Sequence, residues 1–293
     1  MLLTLSLATG CIDNGIHGAR KSAVAVVLGD FDDLTTSLVA LDVASEPWDG
    51  FIVQATYSPA DNRLQRGDLQ NQAEEILTQN DSNTLVLNDY GTLFVASGTR
   101  GFGTVQYNDA TLPDNGMITD AALSHVCDFA NEGGLLVVTD WAYDLVEHCW
   151  PDNIEFVGDD TVVDAAQTGI PGNGVLATVN DSKLAADVGD VVTLDYNYSD
   201  WSVINSVSSD TEVLLSGDVS YQPSATEAAK TLTGVPLLVR FAPGANKAGQ
   251  VIYSTFHLSA QNPTLQQAIL LDGMTGLTRG GGGVPDSGGS SGS

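Results

Sequence analysis

The sequence predicts an α/β protein: a mostly parallel sheet with helices on both faces, plus a β-rich insertion. Three observations carry this. Residues 131 to 150, NEGGLLVVTDWAYDLVEHCW, pass from the end of one helix through a short apolar strand and a sharp turn into a second helix. Residues 22 to 53 show the same alternation as strand, helix, strand. Beyond Pro151 the helical periodicity disappears, and short β-rich runs alternate with glycine, asparagine and aspartate. Strands separated by helices pair in parallel through crossovers, whereas short strands separated by turn residues make antiparallel sheet.

Taken in order, Ser22 to Leu28 is an apolar run that reads as a buried strand. Gly29 to Asp33 is the strand-to-helix turn, with an aspartate available as N-cap. Leu34, Leu38 and Leu41 recur at helical spacing, and Glu46 to Val53 is a second strand interrupted at Asp49-Gly50. Asp68 to Gln79 has helical spacing, and Leu93 to Ala96 is the third core strand. Ser97 to Gly103, SGTRGFG, is a glycine-rich loop whose amides could cradle an anion at Gly98, Thr99 and Arg100, although it lacks a phosphate loop's lysine. Thr119 to Asn131 is a helix with Ala122, Val126 and Phe129 on one face, ended by Gly133-Gly134. Leu135 to Val138 is too short for a helix and lies between glycines, so it is the central buried strand.

In the β-rich segment, about 152 to 234, the strands are Val175 to Val179, Val191 to Tyr196, Trp201 to Val207 and Glu212 to Ser216. Tyr196, Tyr198 and Trp201 serve either as core packing or as an aromatic binding platform. Val235 to Phe241 and Gln250 to Phe256 form a hairpin across PGANKAG, and Thr264 to Leu271 begins the last helix. The α/β domain thus spans 22 to 278. Residues 279 to 293 are glycine- and serine-rich, with too little apolar content to bury, and are expected to be disordered.

The 293 residues include 37 acidic and 10 basic ones, for a net charge of −27. Such a surface repels phosphate backbones, so nucleic acid is not an expected partner. The first residues, MLLTLSLATGC, resemble the end of a bacterial lipoprotein signal. Ala8-Thr9-Gly10-Cys11 stands as the lipobox, with Ala8 where leucine is usual and no basic stretch ahead of it. The resemblance implies export, a lipid on Cys11, a tether up to residue 21 and membrane contact through the anchor alone. A plain secretory signal and an ordinary apolar N-terminus are the alternatives. Cys127 and Cys149 lie on the helices flanking the central strand, as a disulfide if exported or as two buried thiols.

Open α/β sheets bind ligands beyond the carboxyl ends of their strands. Candidate binding residues there are Asp30, Asp33, Trp141 and Ser259, beside the glycine-rich loop. The cluster Asp30, Asp32 and Asp33 could hold a divalent cation, but the rest of a calcium loop is missing, and capping and solvation are the preferred roles. No cofactor motif is present.

The first strand-helix-strand unit, the elbow at Asp140 and the run Gly249-Gln250-Val251-Ile252-Tyr253-Ser254-Thr255-Phe256-His257 together resemble the class I glutamine amidotransferase-like fold, a flavodoxin-like sheet. They are similar in style to its trehalose-utilisation-type and lipoprotein-borne members, and the likeness covers roughly 22 to 150 and 235 to 275. In active members a cysteine on the elbow attacks the amide, and a Phe-His-Pro-Glu motif supplies the base and its orienter. Here Asp140 takes the cysteine's place, His257 matches the histidine, and Leu258-Ser259 replace the proline and glutamate. The resemblance therefore implies no glutaminase activity. It leaves an exported, non-catalytic protein binding a small molecule, glycan or envelope protein. The alternatives are a hydrolase or carbohydrate-processing enzyme using Asp140 and His257, and a structural envelope protein.

Overall fold

The computed structural model describes residues 23–27, 31–34, 48–52, 71–72, 87, 90–97, 120–158, 166, 168–197, 201–223 and 226–270. Cys11, Asp30, Gly98, Thr99, Arg100, Tyr198, the tether and the glycine-serine tail lie outside them.

The strands are β1 (Ala23–Val27), β2 (Trp48–Ile52), β3 (Asn71–Gln72), β4 (Tyr90–Val95), β5 (Leu135–Thr139), β6 (Ile154–Phe156), β7 (Thr168–Gly169), β8 (Gly172–Val179), β9 (Val191–Tyr196), β10 (Ile204–Val207), β11 (Thr211–Gln222), β12 (Lys230–Phe241) and β13 (Gln250–Ser254). Among the described residues the helices seen over several residues are α1 (Asp120–Asn131), α2 (Tyr143–Cys149), α3 (Ser182–Val188) and α4, over 263–270. One sheet runs in the order β3-β2-β1-β4-β5-β13-β12-β11-β8-β9. From β3 to β13 every pairing is parallel, and from β13 to β9 every pairing is antiparallel. The predicted α/β fold is present. The β-rich segment lengthens the same sheet through β7, β8, β9 and β11, while β6 and β10 form a separate two-stranded sheet.

Alternation along the parallel strands explains the layering. Val27, Val95, Val138 and Tyr253 face one core with α1, α2 and the β6–β10 pair. Val26, Phe94, Val137 and Ile252 face the other, with Leu34, Leu184 of α3 and Leu265 of α4. Successive side chains point to opposite faces, so a strand buried on both must be apolar at nearly every position. That is why LLVV was readable as the centre of the sheet. β2 runs through Asp49-Gly50 without interruption. Within the predicted helix 68–79, Asn71–Gln72 instead pair with Phe51 and Ile52 as a short edge strand. The β-rich segment also holds α3, which periodicity over seven residues was too short to reveal. Asp181 caps it, accepting from Lys183 N at 3.0 Å and Leu184 N at 2.8 Å.

The glycines that close α1 work as expected. Gly133 sits at φ +113, Gly134 N donates to Phe129 O at 2.9 Å, and Gly133 N donates to Ala130 O at 3.3 Å. These are the paired bonds of a Schellman C-terminus. Gly249 has a different reason: a Cβ there would lie 1.8 Å from Ala130 O, so β13 can start beside α1 only without a side chain.

Cys127 of α1 and Cys149 of α2 form a disulfide, with Cα atoms 5.3 Å apart. Trp150 Nε1 donates to Asn131 Oδ1 at 3.0 Å alongside it. The bridge closes a loop of sequence separation 22, and restricting that loop in the unfolded chain is worth about 3 kcal/mol. Reduction, or Cys127→Ala with Cys149→Ala, should lower unfolding free energy by that amount in urea titrations. An unchanged midpoint would mean the bridge does not form in solution.

Candidate functional site

The strand order reverses between β1 and β4, and the loops leaving these strands are locked together. Ala96 N donates to Val27 O at 3.0 Å and Phe31 N donates to Ser97 O at 3.2 Å. The elbow after β5 and the turn after β13 stand beside them, because β4, β5 and β13 are neighbours in register. Four carboxyl ends therefore converge, where such sheets form sites.

Asp140 follows β5 at φ +44, in the left-handed region that aspartate tolerates better than most residues. A tight turn, Asp140–Ala142, leads into α2. Tyr253 OH donates to Asp140 O at 2.8 Å, and Ser202 Oγ, which lies 3.3 Å from the same oxygen and in contact with the Tyr253 hydroxyl, shares its single proton between those two acceptors. The Asp140 side chain is 1% exposed and that of His257 3%, with His257 Nε2 2.9 Å from Asp140 Oδ2. Ser202 N donates to Oδ1 at 2.9 Å. Ser97 Oγ lies 3.1 Å from His257 Nε2 and 3.5 Å from Asp140 Oδ2. On the far side of the ring, Nδ1 is 3.0 Å from Asn197 Oδ1.

Proton accounting decides what this cluster can do. Ser97, His257 and Asn197 stand like a nucleophile, a base and its orienter. A base must offer Nε2 as a free lone pair. Here the buried carboxylate of Asp140 is the closer partner of Nε2, and a full charge outcompetes a hydroxyl for an N–H. With Nδ1 facing Asn197 Oδ1 and Nε2 facing Asp140 Oδ2, both ring nitrogens meet oxygen acceptors, the pattern of a protonated imidazole, which has no lone pair to take a proton from Ser97.

The two pKa directions bear on that state in opposite ways: a raised His257 favours the imidazolium, whereas a raised Asp140 works against the carboxylate. Burial raises Asp140, opposed by the hydrogen bond and charge of His257 and by Ser202 N. Burial works to lower His257, but the hydrogen bond to Asp140, its charge and that of Asp32 together raise it. The folded pair thus holds a proton more tightly than the unfolded chain does. The histidine's contribution to stability is full below pH 6.5, its ordinary value, and is lost as pH rises through the raised one; that of the raised Asp140 is full only below 3.8 and is lost as pH rises through its own raised value. An NMR titration of His257 is expected to show a midpoint above 6.5 in the wild type. In Asp140→Asn it should fall below that value, since burial then dominates. A wild-type midpoint below 6.5 would reverse the assignment.

The other predicted residues are distributed less simply. Asp33 is exposed, and its backbone N donates to Ser259 Oγ at 3.3 Å. Its neighbour Asp32 is the buried carboxylate. It accepts from Leu258 N at 2.9 Å and Ser259 N at 3.0 Å, capping the turn after His257. Ser259 is therefore part of a clamp between two loops and does not line the cavity. Trp141 is not in the cavity either. The turn after Asp140 directs it into the core shared with α1 and α2, edge-on to Tyr143 at 5.6 Å. Tyr196 and Trp201 stack at 4.2 Å and are buried, so core packing prevails over a binding platform. Among the described residues no group of histidine, cysteine, aspartate and glutamate side chains could hold a metal ion.

Ser97, Asn197, Ser202 and Tyr253 were not singled out as site residues, and Asp32 was named only as one of three aspartates that could hold a cation, with capping and solvation preferred. Tyr253 carried a signal, its place in the run ending at His257. Asn197 and Ser202 carried none, since they reach His257 and Asp140, respectively, from the β-rich segment.

The cavity at the centre is lined by Asp140, Tyr196, Asn197, Trp201, Thr255 and His257, with Phe256 beside them, and measures about 10 Å³. That is the threshold for a single water.

No protein-family model matches the chain, and no curated protein does. Among solved structures, the chain is similar to a GMP synthase protein from Thermoplasma acidophilum, at 9% identity and TM-score 0.45, covering 88% of this chain and 94% of that one. It is similar to a ThuA-like protein from Parabacteroides merdae, at 11% identity and TM-score 0.45, covering 89% and 91%. It is also similar to the mmIFT52 N-terminal domain, at 10% identity and TM-score 0.48, covering 87% and 97%. At these identities the likenesses concern fold alone, and the α/β assignment stands on the strand order and register.

Proposed function

We propose that this chain is a non-catalytic protein on an amidotransferase-like α/β fold, exported, lipid-anchored through Cys11, and working by binding a partner protein. The observation that carries the proposal is the buried Asp140–His257 pair. It fills the position of a nucleophile and base with two buried groups bonded to each other, and among the described residues little room is left beside them for a substrate. Ligand pockets run to about 300–1,000 Å³, against about 10 Å³ here among the described residues. That contrast weighs against a small molecule or glycan in this cavity, and so favours a protein partner. The Cys127–Cys149 bridge supports an oxidising compartment, where such bonds persist.

The test is turnover. The full chain, presented with ester, amide and glycoside substrates and with a fluorophosphonate probe between pH 5 and 9, should show no turnover and no labelling of Ser97. Turnover lost in His257→Gln, or labelling lost in Ser97→Ala, would replace this reading with the hydrolase one. Metabolic labelling with an alkyne fatty acid should mark the wild type and not Cys11→Ala.

A further inference from the structure

We propose that the outer edge of β9 is a docking site for an extended, basic segment of a partner protein, which adds to the sheet as one more strand; this rests on the protein-binding reading above. The sheet order ends at β9, so among the described residues β8 is its only strand neighbour. The bond from Val179 N to Asp190 O, at 2.9 Å, sets the phase of the ladder. With Thr178 opposite Val191 and Leu176 opposite Thr193, the main-chain groups of Val191 and Thr193 point away from β8. Asp195 is next in that phase, and its neighbour is a side chain that imitates a strand. Asp195 N donates to Gln261 Oε1 at 3.0 Å and Gln261 Nε2 donates to Asp195 O at 2.9 Å. Hydrogen bonding beyond β9 is thus already built at one end. No hydrogen bond among the described residues engages the outward groups of Val191 and Thr193.

The side chains mark this edge as a contact surface. Leu176 is 66% exposed and Val191 56%, diagonal neighbours on the outer face of the β8–β9 pair. Edge strands that stay unpaired are usually guarded by lysine, proline or a bulge. β9 has neither lysine nor proline, and its one irregularity lies on β8, between Asn173 and Val175. The occupant follows from charge. Asp190 and Asp195 bracket the free stretch, both exposed, and Asp187 lies just before it. On a chain of net charge −27, a second copy would bring these carboxylates together, whereas a strand of alternating basic and β-branched residues would pair with them.

The test uses a capped nine-residue peptide of alternating lysine and valine, and the same peptide with glutamate for lysine, titrated against the full chain. The lysine peptide should bind at least ten-fold more tightly and protect the amides of Val191 and Thr193 from hydrogen exchange. Thr193→Pro removes an outward N–H and no bond to β8, and should weaken binding at least ten-fold. Asp190→Lys with Asp195→Lys leaves the backbone untouched and should reverse the peptide preference. Absence of binding, equal affinity for both peptides, or affinity unchanged by either variant would overturn the proposal. So would a dimer of the full chain that Thr193→Pro dissolves, since a second copy would then own the edge. None of these measurements involves turnover, so failure here and catalysis at His257 are separate results.

Discussion

Asp140→Ala is expected to cost about 4 kcal/mol of folding stability, because removing one partner of a buried ion pair leaves the other charge uncompensated. His257 would keep Asn197 and Ser97 as neighbours, but neither offsets an imidazolium sealed among Tyr196, Phe256 and Thr255. Ser202 N would lose its acceptor as well. Urea unfolding at pH 6 should show the loss as a lower midpoint with little change in slope. Asp140→Asn keeps an acceptor for Ser202 N and should cost less than half as much. An alanine variant as stable as the wild type would show that the pair contributes nothing to the fold.

Asp32→Ala should cost about 3 kcal/mol, from two main-chain N–H groups, Leu258 and Ser259, deprived of a carboxylate in a buried turn. Its second effect is on His257, one residue away. The charge of Asp32 helps to raise the histidine's pKa, so Asp32→Asn should lower the NMR midpoint while leaving the Asp140 contact in place. If the midpoint does not move in Asp32→Asn, the two loops are not electrostatically coupled.

The parallel half was legible because its strands are buried on both faces and its turns are marked by glycine. LLVV between Gly134 and the elbow admits one reading, and Gly133 at φ +113 does what a helix-ending glycine must. The hairpin β12–β13 followed from two apolar runs and a turn sequence. The placing of Asp140 and His257 together came from their positions at the ends of β5 and β13, which proved to be register neighbours. What stayed hidden shares one cause. Asn197, Ser202 and Asp32 contribute through contacts across 60 or more residues of sequence, to which no local periodicity points. Asp32 also lay between two other aspartates, and only burial separates it from exposed Asp33. Trp141 misled for a related reason. One φ value at Asp140 decides which way the next side chain turns, and composition does not encode it.

The most direct measurement is a double-mutant cycle across the Asp140–His257 contact, comparing the unfolding free energies of the wild type, Asp140→Asn, His257→Gln and the double variant at pH 6. Residues acting as a unit should show a coupling of about 1 kcal/mol or more, with the double variant little worse than the costlier single one. Losses that simply add, within about 0.5 kcal/mol, would mean that the two side chains are neighbours without being a pair, and would contradict a structural ion pair at the place of a nucleophile and its base.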